Sequence, residues 1–220
     1  SYDEKNPESF FSEIDFSQVA CCIFELGSAS GRVLFPHEKL VQQLSQRVKL
    51  SGGYVVSNEV TTGYGRTGRW FGFQHYDIIP DIVCMGKGIG NGYPVSAAAM
   101  TDEVARAADG KGLGHVQSHQ NDPLGGAVVS AVIKEFEEKE LIRSSAVKGK
   151  LLSKELMNLK EKFQCIKDVR GRGMMYAVEF ERTADVAGIS AMMFEKGFLI
   201  GANAVFNVLR FDPCLTINAG

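Results

Sequence analysis

No run in this 220-residue chain is apolar for long enough to cross a bilayer. Neither sign of charge predominates: 24 Lys and Arg stand against 26 Asp and Glu, for a net charge of −2. That balance gives no electrostatic footprint for nucleic acid or an anionic membrane, and neither is expected as a partner. The opening residues, Ser1-Tyr2-Asp3-Glu4-Lys5-Asn6, are polar and acidic, so no secretory signal peptide is expected there. The five cysteines (Cys21, Cys22, Cys84, Cys165 and Cys214) are odd in number and show no C-x-x-C spacing. This argues against a disulfide framework and suits free thiols in a reducing cytoplasm. His37, His75, His115 and His119 do not stand at metal-ligand spacings with cysteines or carboxylates. His115 and His119 are four apart, but Gly114 and Gln117-Ser118 do not read as a helix. No metal is expected. Internal repeats and low-complexity tracts are also lacking.

What is present is an ordinary globular composition, 45% apolar and 23% charged, in a chain long enough for one large or two small domains. Residues 1–17 are polar with scattered aromatics, a lead-in with at most one short helix. Val19 to Phe24 is a continuous apolar run, which predicts a strand buried on both faces. After the loop Gly27–Gly31, Pro36 opens a helical segment with Leu40, Val41, Leu44 and Val48 at helical spacing, closed by Gly52-Gly53. Tyr54 to Ser57 is the next buried strand, so the order strand, helix, strand predicts a βαβ unit and a parallel sheet. A long polar loop, Asn58 to Asp77, leads to a further strand, Ile82 to Met85. Pro94 to Met100 reads as a strand of small residues, and Gly110 to Gly114 as flexible. Helices are expected from Pro123 and over roughly Ser144 to Phe163. The composition then changes: Ile166 to Gly173, Met174 to Phe180 and Gly197 to Phe211 read as strands of a separate layer, with a helix around Ala184 to Lys196. The expected division is residues 1–145, with a linking helix, and residues 146–220.

Lys87 draws attention because it lies where a short apolar strand becomes a loop and has glycine on both sides. Lysines are commonly solvated surface residues. An amine at the carboxyl end of a parallel strand, however, stands where open α/β sheets bind ligands, and Gly86 and Gly88 allow close approach. Two glycine motifs nearby fail as nucleotide fingerprints. Gly63-Tyr-Gly-Arg-Thr-Gly68 fits G-x-G-x-x-G, yet Arg69-Trp-Phe-Gly gives no helical face after it. Met85-Gly-Lys-Gly lacks the earlier glycine and following Ser or Thr of a phosphate-cradling loop. Asn58 ends the strand before Lys87's strand, so both can approach one cleft. A polar strand-end residue beside a strand-end lysine suits a flat, phosphorylated aldehyde cofactor.

Asn58-Glu-Val-Thr-Thr-Gly-Tyr-Gly-Arg-Thr-Gly68, Pro80-Asp81-Ile82 and Gly86-Lys87-Gly88 together resemble the class III pyridoxal-phosphate aminotransferases, relatives of the ornithine, acetylornithine and 4-aminobutyrate enzymes. The likeness continues through Tyr93-Pro94, Asn121-Asp-Pro-Leu124, Val169-Arg-Gly-Arg-Gly173 and Leu209-Arg-Phe-Asp-Pro213, in order, from about Val19 onward. It implies the α/β fold-type-I architecture: part of the mainly parallel large domain over 1–145 and a small C-terminal α/β domain over 146–220. It also implies pyridoxal 5'-phosphate as cofactor, an amino donor and an oxo-acid or aldehyde acceptor as substrates, and a cytoplasmic homodimer or larger oligomer. By this resemblance Lys87 holds the cofactor as a Schiff base and moves the substrate proton. Asn58 meets the ring nitrogen, and Glu59, Val60 and Thr61 flank the ring, with Thr61 near its hydroxyl. Ser118 reaches the cofactor phosphate of the partner subunit, and Arg210 receives a substrate carboxylate. Arg172 orders the turn between strands, and Glu25 has a structural place at a strand end.

Three features depart from the family pattern, two of them single positions. Asn58 stands where the family has an aspartate that pairs with the protonated ring nitrogen, so transaminase activity is expected to be lowered. The matching stretch corresponds to the C-terminal half of the family, without its N-terminal half or its terminal helix. Ser30 replaces a glutamate of several ω-amino-acid enzymes, which argues against copying an ornithine-type substrate choice. Aminotransferase is the leading reading. An aminomutase or racemase on the same scaffold, or a non-catalytic binding subunit, are the alternatives.

Overall fold

The computed structural model describes every residue except 1, 2, 4, 5, 29, 113, 115, 219 and 220. His115 and parts of the amino-terminal and 110–114 stretches discussed above lie outside the described residues. Two compact units are formed. The first takes residues 1–26, 36–60 and 72–134, and the second takes 27–35, 61–71 and 135–220.

In the first unit, α1 (Pro7–Phe11), β1 (Cys21–Phe24), α2 (Glu38–Leu50), β2 (Tyr54–Asn58), β3 (Ile82–Met85), β4 (Ala97–Met100) and α3 (Asp102–Gly110) follow in order. The strands form one sheet in the order β1-β2-β3-β4. β1, β2 and β3 are parallel, and β4 joins β3 antiparallel at the edge. The helical spacing on α2 places Val41 and Val48 against Phe24, Leu26, Val55 and Tyr76 in one core, with Cys22 and Leu44 packed on it. Burial pushes the Cys22 thiol above its usual range. The continuous apolar run of β1 had predicted burial on both faces, and the structure corrects this. Cys21 is exposed and Ile23 is 65% exposed, because α2 covers only the face bearing Cys22 and Phe24. In register with Ile23 across the sheet lie Val56, Ile82 and Met100, and β4 is exposed along its length.

α4 (Pro123–Glu138) begins at a proline, with Asp122 Oδ1 accepting from the Leu124 amide at 3.0 Å. The second unit then builds α5 (Leu141–Lys162), β5 (Ile166–Arg172), β6 (Met175–Phe180), α6 (Val186–Glu195), β7 (Gly201–Asn203) and β8 (Val208–Phe211). Its sheet is antiparallel in the order β5-β6-β8-β7. Leu156 of α5 and Val186 of α6 pack with Tyr176, Val178, Phe180 and Leu209. The strap 27–35 docks on the same unit: Val33 is buried with Met175, Ala177 and Val208, and the Arg172 guanidinium lies 4.9 Å above the Phe35 ring. That stacking is where the structure places Arg172, expected above to order a turn.

The glycines of the Arg-Gly-Arg-Gly stretch answer to close packing. A Cβ on Gly149 of α5 would lie 2.2 Å from the Gly173 carbonyl oxygen, and one on Gly173 would lie 2.3 Å from the backbone of Thr67. Ser145 of α5 donates to the Gly65 carbonyl at 2.6 Å in the same region. Neither neighbour is a flexible side-chain end, so a methyl group must move backbone. Gly149→Ala is therefore expected to destabilise the fold by about 2–3 kcal/mol, read as a lower urea midpoint at constant slope. An unchanged midpoint would show that α5 and the β5–β6 turn can separate at little cost.

Candidate functional site

β2 and β3 run side by side with Asn58 in register with Cys84. Asn58 therefore leaves the sheet at the same carboxyl edge from which the chain runs on to Lys87. Lys87 opens a short 3-10 turn, Lys87–Ile89, and its own φ is +44°. That left-handed conformation costs a non-glycine residue about 1–3 kcal/mol and is found where surrounding structure enforces it. Here the Gly90 amide donates to the Lys87 carbonyl at 3.1 Å and the Ile89 amide to Gly86 at 3.2 Å. A Cβ on Gly90 would stand 2.1 Å from the Tyr93 carbonyl oxygen, so only glycine lets the loop fold back this tightly. The exposed Lys87 side chain faces an open recess of about 480 Å³, lined also by Gly88, Asn91, Gly92, Tyr93, Pro94 and Val95.

Asn58 is half-buried, and its Oδ1 accepts from the Val60 amide at 3.2 Å. The Val60 side chain lies beside Gly86, 3.4 Å from where a Cβ would be, so valine and glycine pack together next to Lys87. Between them, Glu59 is fully buried. Its carboxylate accepts from Ser57 Oγ at 2.8 Å, the Gly72 amide at 2.7 Å and the Phe73 amide at 2.9 Å. Its own amide donates to Cys84 O at 2.8 Å. Glu59 thus ties the end of β2 to the 72–73 turn. Three donors converging on a fully buried carboxylate give Glu59 an anchoring place in the fold, in addition to the sequence position that the resemblance sets beside the ring.

The structure brings Asn58, Val60 and Lys87 to one edge of the first unit. Thr61 is half-buried and begins the segment that belongs to the second unit. Ser118 lies in an exposed turn and does not line the recess. Arg210 sits on β8 in the second unit, half-buried and ion-paired with Asp212, with Nη2 donating to Asp212 Oδ1 at 3.2 Å. Arg66 in the same unit donates from Nη1 to Met174 O at 3.0 Å and Pro213 O at 2.8 Å. Burial pushes the Arg66 guanidinium below the usual arginine value, against the pull of Asp212. The hydrogen bond between Cys214 and the Thr216 hydroxyl holds that thiol below its usual range. Ser30 shares a 3.2 Å hydroxyl contact with Ser28, and its carbonyl accepts from Asn203 at 3.4 Å.

Two features of the site escaped the sequence reading. One is the anchoring role of Glu59, signalled only by an acidic residue set directly against a buried strand end. The other is the recess wall at Asn91, Tyr93 and Val95, for which the Asn91-Gly92 dipeptide was an available turn signal. Among the described residues no group of three potential metal ligands exists, and no helix is long and apolar enough to cross a membrane. All five cysteines are unpaired.

Residues 7–220 match the family model described as aminotransferase class-III. Among curated relatives, an alanine–glyoxylate aminotransferase 2 homolog, mitochondrial, of Arabidopsis thaliana is 40% identical over 182 residues, 76% of this chain and 37% of the relative. An ethanolamine-phosphate phospho-lyase homolog of Caenorhabditis elegans is 31% identical over 226 residues, 96% of this chain and 48% of the relative. Among solved structures, an S-selective transaminase from Arthrobacter sp. with alanine bound superposes with a TM-score of 0.88 at 27% identity, covering 100% of this chain and 53% of that one. The chain thus spans about a third to a half of the length of these proteins.

Proposed function

The chain belongs to the class-III aminotransferases, a pyridoxal-phosphate-dependent family of fold type I, and from that premise we propose that it carries the lysine-bearing part of an enzyme that moves an amino group from an amino donor to an oxo-acid or aldehyde. The observation that carries this reading is Lys87, an exposed amine on an enforced left-handed turn, beside Asn58 at the end of the neighbouring parallel strand. These residues fit the cofactor. Lys87 offers an amine to a carbonyl, Asn58 a hydrogen-bonding amide to a ring nitrogen, and Val60, packed at Gly86, an apolar surface to a ring face. When bound, the cofactor supplies the aldehyde that receives the amino group and a ring that withdraws electrons from the substrate carbon.

In this proposal Lys87 Nζ holds the cofactor and then takes and returns the substrate proton. Thr61 meets the ring hydroxyl. Arg210 receives a substrate carboxylate, exchanging its bond to Asp212 for one to the ligand. Ser118, on an exposed turn, serves the cofactor phosphate of a partner subunit, and we propose a homodimer on that basis. Residues 1–145 would belong to the large domain and 146–220 to the small one. Five unpaired cysteines suit a reducing compartment, for which we propose the cytoplasm.

The test is product analysis with an ¹⁵N-labelled amino donor and an oxo-acid in the presence of pyridoxal phosphate. The proposal expects the label in the acceptor. Unlabelled acceptor together with racemised or rearranged donor would replace aminotransferase by the racemase or aminomutase reading.

A further inference from the structure

The hydrogen bond at Asn58 has a direction. A backbone N–H only donates, so the atom that the Val60 amide meets at 3.2 Å must be the side-chain oxygen. The Nδ2 end of the amide is thereby turned the other way. Among the described residues no protein acceptor meets it. Asn58 ends β2 at the carboxyl edge it shares with the Lys87 turn, half-buried and beside Val60, which packs at Gly86. With Oδ1 held against the Val60 amide, the end of the side chain turned away from that bond, and so the end offered to a ligand at that edge, is the N–H donor Nδ2.

We infer that Asn58 binds the cofactor's pyridine nitrogen as a hydrogen-bond donor, and so holds that nitrogen unprotonated. This rests on the proposed cofactor site and concerns its electronic state. A donor facing the ring needs a lone pair on the nitrogen. A protonated nitrogen would set N–H against N–H. Turning the amide over would not resolve this, because Nδ2 would then face the Val60 N–H. Hydrogen bonding to the neutral form disfavours the charged one, the opposite of what a carboxylate at the same position does. The ring of this protein is accordingly a weaker electron sink, and deprotonation at the substrate carbon relies more heavily on Lys87 Nζ.

The experiment loads the protein with pyridoxal phosphate labelled with ¹⁵N in the ring and records the ring-nitrogen resonance between pH 6 and pH 9. The inference expects the shift of an unprotonated pyridine across that range. In Asn58→Asp, whose Oδ1 still accepts from Val60 so that the turn is kept, the resonance is expected to move to the pyridinium position. A pyridinium shift in the unsubstituted protein overturns the inference, and the pH series alone decides it should the variant not fold. Identical resonances in the two proteins also overturn it. Borohydride treatment of the same samples separates the two levels. A pyridoxyl group fixed on Lys87 together with a pyridinium shift removes only this inference. Failure to fix one on Lys87 removes the cofactor site and the inference with it.

Discussion

Replacing Lys87 by alanine is expected to abolish amino transfer, with single-turnover rates falling by at least about 10⁴-fold. The size follows from the number of tasks assigned to one amine. The same Nζ anchors the cofactor and carries the substrate proton, and no other group on the described recess wall can replace it: Gly88, Asn91, Gly92, Tyr93, Pro94 and Val95 offer no amine. Lys87→Arg separates charge from nucleophilicity. Arginine keeps the positive charge but stays protonated at working pH, so it too is expected to be inactive. Rapid-quench measurement of donor deamination checks both variants. Activity within tenfold of the unsubstituted protein in either one would show that Lys87 is a bystander on a strained turn.

The second large effect is on folding. Glu59→Ala removes a fully buried carboxylate and strands the Ser57 hydroxyl and the amides of Gly72 and Phe73. Loss of one partner from a buried, charge-assisted set costs about 3–5 kcal/mol, a large share of the roughly 5–15 kcal/mol by which a domain is stable. A large drop in the urea midpoint is the expected reading. Because Glu59 lies between Asn58 and Val60, the Asn58–Val60 bond should loosen with it and cofactor affinity should fall as well. A variant less than 1 kcal/mol weaker than the unsubstituted protein would mean that the 72–73 turn is held by other contacts.

Much of the frame was legible because local pattern and tertiary packing agree. Ile82–Met85 is a strand where the apolar run predicts one, and the strand–helix–strand order gives the parallel β1-β2 pair. The covered face was not legible: a continuous run such as 21–24 carries no alternation to say which side a helix will take. α5 starts at Leu141, three residues before the expected Ser144, because the break from α4 is made by Glu140 at φ +46° and not by a glycine or proline. The expected strand from Gly197 to Phe211 is two short strands, β7 and β8, paired antiparallel. At the site, the sequence pointed to Lys87 through its flanking glycines, yet the left-handed residue is the lysine itself and Gly86 is extended. The tight closure of the loop around Gly90 goes with that conformation, a feature of how the turn folds back that single-residue propensity does not show. The family pattern gave Asn58 its place, while only the Val60 contact gives its amide a direction.

The central claim is that one amine of this chain holds pyridoxal phosphate. Borohydride reduction of the loaded protein, followed by mass-spectrometric peptide mapping, tests it most directly. The account predicts one pyridoxyl group per chain, on the peptide containing Gly86-Lys87-Gly88. A label spread over surface lysines, or concentrated on a different lysine, would contradict it.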